Sequence, residues 1–160
     1  SNLKEVEELC HFEKSIGENL FQFVLQRYEI DELLEFMRLL AAGKTEEYII
    51  GLSYTVDSFT KLDLISLSKI RSTEELIKYL QGTRFSKITT FLPQNPGETF
   101  DFSLIEFGLD RILYDNAFLM IDESFDGDVR KELRDILLSR TELFDFIFIY
   151  RSKRFYSFNR

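Results

Sequence analysis

Ile30, Leu33, Leu34, Met37, Leu40 and Ala41 recur three and four residues apart, which puts them on one side of an α-helix, and Gly43 stops the run. Phe21, Val24, Leu25 and Tyr28 keep the same period just upstream, and Leu3, Val6, Leu9 and Cys10 mark another helical run. Ser72-Thr73-Glu74-Glu75 opens LIKYL as a capping box, with Glu75 reaching back to the Ser72 backbone N–H. Phe85, Ile88 and Leu92 mark a short further helix. The stretch LDLISLS, 62–68, alternates enough to pass for a strand and is assigned to helix. Both prolines, Pro93 and Pro96, lie in LPQNPGE, the strongest break in the chain. Beyond it, Phe102, Ile105, Leu109, Ile112 and Leu113 predict a long helix starting near Glu98. Val129, Leu133, Ile136 and Leu137 start another that no Gly or Pro interrupts before Tyr156. The pattern predicts an all-α fold. A lobe of short helices spans 1–92, a Pro-containing linker spans 93–98, and two long helices over 99–160 begin a second, incomplete lobe.

The last helix carries an unusual stretch. Residues 143–150, LFDFIFIY, are apolar except for Asp145. A membrane span needs about 20 apolar residues, and Asp145 and Arg151 bracket too short a run. Taken alone, Phe144, Phe146, Phe148 and Tyr150 alternate as a strand does. An internal similarity decides for helix. EIDELLEFMR, 29–38, aligns with ELFDFIFIYR, 142–151: Glu29 with Glu142, Glu32 with Asp145, Leu33 and Leu34 with Phe146 and Ile147, Met37 with Tyr150, and Arg38 with Arg151. The first copy has helical period, so the second is helix too, and the pair reads as duplicated helical units. A helix apolar on most of its circumference needs cover nearly all round. Burying one Phe or Ile contributes about 1.5–3 kcal/mol, so the segment is expected to be enclosed by neighbours or by another molecule.

Composition narrows the function. The 160 residues are 44% hydrophobic and 30% charged, with a net charge of −8. That balance fits one domain of ordinary size and disfavours nucleic acid as a partner. Arg151, Lys153, Arg154 and Arg160 form only a modest basic end, suited to a helix C-terminus. The single Cys10 rules out an internal disulfide and fits a reducing compartment. Its neighbour His11 cannot face it on a helix. DESFDGD, 122–128, places Asp122, Ser124, Asp126 and Gly127 at the first, third, fifth and sixth positions of an EF-hand loop, but Leu133 stands where the bidentate Glu belongs. An acidic turn is the better reading, with Gly127 at positive φ and Asp128 capping the next helix. Glu29/Glu32 and Glu142/Asp145 have the spacing of acid–base pairs, yet read better as acids at helix N-termini. No phosphate-cradling glycine loop is present. No cofactor, metal or small-molecule substrate is expected. Arg38 and Arg151 either snorkel into solvent or touch another lobe or another protein of a complex.

FDFIFIYRSKRFYSF resembles the signature of the C-type subunit family of V-type ATPases and ATP synthases, whose eukaryotic V-ATPase members are known as d subunits. Ile149, Tyr150, Arg151, Lys153, Phe155 and Tyr156 match its prokaryotic pattern. The 29–38 segment followed by LAAGKTEEYI, then STEELIKYLQGTRFSKI, and IEFGLDRILYDNAF are similar to further family segments, so the likeness runs along most of 20–156. Two departures stand out. The family's Asp is Glu29 and Glu142 here, and its Asn is Glu32 and Asp145, which removes an amide donor. Family chains are longer, and the Ser1-Asn2 start looks like a cloning scar or a fragment start.

The resemblance implies a non-catalytic central-rotor component at the cytoplasmic face of a membrane-bound complex, coupling ATP hydrolysis or synthesis to proton or sodium transport. Its implied partners are the central-stalk subunits and the membrane rotor ring. Candidate interaction or interlobe residues are Arg38, Phe144, Phe146, Phe148, Tyr150, Arg151 and Lys153. The competing expectation is an unrelated α-helical protein–protein interaction domain that docks through 143–150.

Overall fold

The computed structural model describes residues 2–49 and 60–158, leaving aside some side chains near the start of the first helix and from 143 onward in the last. The regular elements among the described residues are all helical, with no strand. In order come α1 (Asn2–Ala42), a 3-10 turn (Thr45–Glu47), α2 (Leu64–Ser68), α3 (Thr73–Gln81), a 3-10 turn (Ser86–Phe91), α4 (Phe102–Ser124) and α5 (Gly127–Phe158). The chain divides into two compact units, Ser1–Thr83 and Arg84–Arg160.

In the first unit, the three apolar runs expected as separate short helices are one helix of 41 residues. No proline lies between 2 and 42, and the one interior glycine, Gly17, costs only about 1 kcal/mol. Gly43 ends α1 at φ 70°. The Gly43 N–H donates to Leu40 O and the Lys44 N–H to Leu39 O, the paired bonds of a Schellman cap. The buried face of the helix is its second half, where Ile30, Leu33, Phe36 and Met37 are wholly inaccessible. Residues 64–68 are helix as expected, capped by Asp63, whose side chain accepts the Ser66 N–H at 3.0 Å. Ser72 caps α3 by accepting the Glu75 N–H at 3.2 Å. Glu75 does fold back, but onto the Arg71 N–H at 3.0 Å and not onto that of Ser72.

In the second unit, α4 starts at Phe102 rather than near Glu98. Asp101 is its cap, accepting the Leu104 N–H at 3.1 Å. Glu98 is engaged in the preceding turn, where it accepts from the Gln94 N–H at 2.8 Å and from Asn95 Nδ2 at 2.6 Å. Those bonds hold its carboxyl below the usual range. The 3-10 turn Ser86–Phe91 lies against α4 at Gly108. A Cβ there would stand 2.6 Å from both Ile88 Cδ1 and Phe91 Cε2, so the close approach requires glycine. Helices α4 and α5 run antiparallel, tied by Arg134 to Asp122 near their turn and by Arg111 to Asp145 farther along.

Candidate functional site

Glu29 and Glu32 lie three residues apart on α1, on the face that is buried. The expectation that they are acids at a helix N-terminus is overturned. They sit deep in a 41-residue helix and are 0% and 6% exposed. Burying a carboxylate is costly unless donors surround it, and here they do. Glu32 accepts hydrogen bonds from two phenols, Tyr28 Oη at 2.8 Å on its Oε1 and Tyr48 Oη on its Oε2. Glu29 Oε1 accepts the Lys61 backbone N–H at 2.9 Å. Phe36 packs edge-on against the Tyr48 ring at 5.4 Å. Burial, and then the bond to Glu32, push the Tyr48 phenol far above its ordinary value of 10.0, so it stays protonated and donates. Tyr79 is pushed up as well, first by burial and then by the charges of Asp63 and Glu29, and its hydroxyl donates to Asp63 O at 2.9 Å. This arrangement is a clasp. Its carboxylates fasten the segments around residues 48 and 61 to α1.

The second copy of the repeat is helical, as expected, but its acids stand in a different setting. Both lie within α5, not at its start. Glu142 is exposed. Asp145 Oδ2 lies 3.5 Å from Arg111 Nη1, while its buried Oδ1 has no partner among the described residues. The two copies therefore share a helical pattern without sharing surroundings. The lost amide is explained at one of them: at Glu32, an acceptor-only group suits two hydroxyl donors.

Of the expected contact residues, Arg38 is exposed on α1 in the first unit. Tyr150 is 57% exposed on α5, and Lys153 is exposed beside it. The side chains of Phe144, Phe146, Phe148 and Arg151 lie outside the described residues. Other apolar residues of α5 reach solvent too, among them Val129, Ile136, Leu138 and Ile149. The acidic turn is pinned in place. Arg134 Nη1 donates to both oxygens of Asp122, at 2.7 and 2.6 Å, and its guanidinium lies 5.1 Å from the Phe118 ring centre. The leading position of the EF-hand pattern is thus occupied by an ion pair. Gly127 has φ 57°, as the turn reading requires. Asp128 lies inside the first turn of α5, so it favours the helix dipole and does not cap it.

Sequence reading missed Tyr48, Lys61 and Tyr79 as partners. Only the Tyr28–Glu32 pair, four residues apart, was visible at helical spacing. No helix among the described residues is long and apolar enough to cross a membrane. The family model of the ATP synthase (C/AC39) subunit matches residues 2–160. No curated protein and no solved structure matches the chain.

Proposed function

The chain belongs to the ATP synthase C/AC39 subunit family, and on that premise we propose that it serves as the central-rotor adaptor of a V-type ATPase or ATP synthase. Family membership places it among the components of a membrane-bound rotary complex, with the other proteins of that complex as its partners. It also sets aside the expectation of an unrelated docking domain. The finer reading has the chain at the cytoplasmic face, seated on the membrane rotor ring, receiving the central stalk, and passing rotation between ATP chemistry and proton or sodium movement without catalysing either.

The observation that carries this reading is the family match over 2–160. Two features of the chain support it. The buried carboxylates most able to do chemistry are committed to the Tyr28–Tyr48–Lys61 clasp. Large apolar side chains on α5, Ile136 and Tyr150 foremost, face outward as they would on a contact surface. The test is affinity capture from source membranes with the tagged chain. Recovery of central-stalk and ring proteins is expected. Capture that returns neither, or returns only the peripheral stator, would overturn the rotor assignment.

A further inference from the structure

We draw no further inference here: the strongest candidate, the surface patch of exposed apolar side chains on α5 that includes Ile136, Leu138, Ile149 and Tyr150, carries none because nothing in the structure shows what covers it.

Discussion

Two phenols converge on one carboxylate at Glu32, and the energetics of the first unit are sensitive there. Tyr48→Phe removes one donor and should cost about 1–2 kcal/mol in urea unfolding. Glu32→Ala should cost more, about 2–3 kcal/mol, because it leaves buried Tyr48 without an acceptor. Both Tyr48 and Tyr79 have folded-state values raised above 10.0. Their contribution is complete below pH 10 and is lost as pH climbs past it, since the unfolded phenols then release protons that the folded ones keep. Unfolding midpoints should fall steeply above pH 10, and less steeply in Tyr48→Phe. Asp63 has the opposite sign. Its bonds to Ser66 hold it below its ordinary 3.8, so its help to α2 is present above that value and fades as pH falls through its folded value. Asp63→Ala should therefore cost about 1 kcal/mol at neutral pH and almost nothing in strong acid. The acids themselves were plain in the sequence. Their donors were not, because Tyr48 lies 16 residues from Glu32 and Lys61 lies 32 from Glu29, and no local period connects them.

Among the elements, the tightest approach is that of the turn Ser86–Phe91 to α4 at Gly108. Gly108→Ala should lower the melting temperature. The gain in helix propensity, about 1 kcal/mol, is outweighed by an overpacking cost of about 1–3 kcal/mol against the Phe91 ring. Gly108→Val should be worse, and Phe91→Leu should partly rescue it. Most helix positions followed from apolar period; 64–68 and 143–150 did not, since both alternate as strands do, and the second was assigned to helix through its likeness to 29–38. Helix ends followed from caps, and there the reading slipped where two acids competed: Glu98 is taken up by the Asn95 turn, which leaves Asp101 to start α4. The continuity of α1 was hidden for another reason. Its apolar residues change face along the helix, so three offset runs looked like three pieces. Gly108 showed nothing in the sequence, since a glycine required by a neighbour cannot be told from one that is merely tolerated.

For the molecule as a whole, family and class were legible, and the docking geometry was not. An aromatic- and Arg-rich segment carries a signature, whereas the partners of a surface leave no period within the chain. On the proposed peripheral attachment, alkaline carbonate should strip the protein from source membranes without detergent, and retention in the lipid pellet would contradict that attachment. The 41 residues of α1 make a rod about 60 Å long, and the Glu29–Glu32 clasp grips it well toward one end. From Glu32 back to Asn2 is about 45 Å of uninterrupted helix. A tilt of only about 5° at that grip would carry Asn2 through about 4 Å. Small settlements around two tyrosines become, at the other extremity, displacements the size of a side chain.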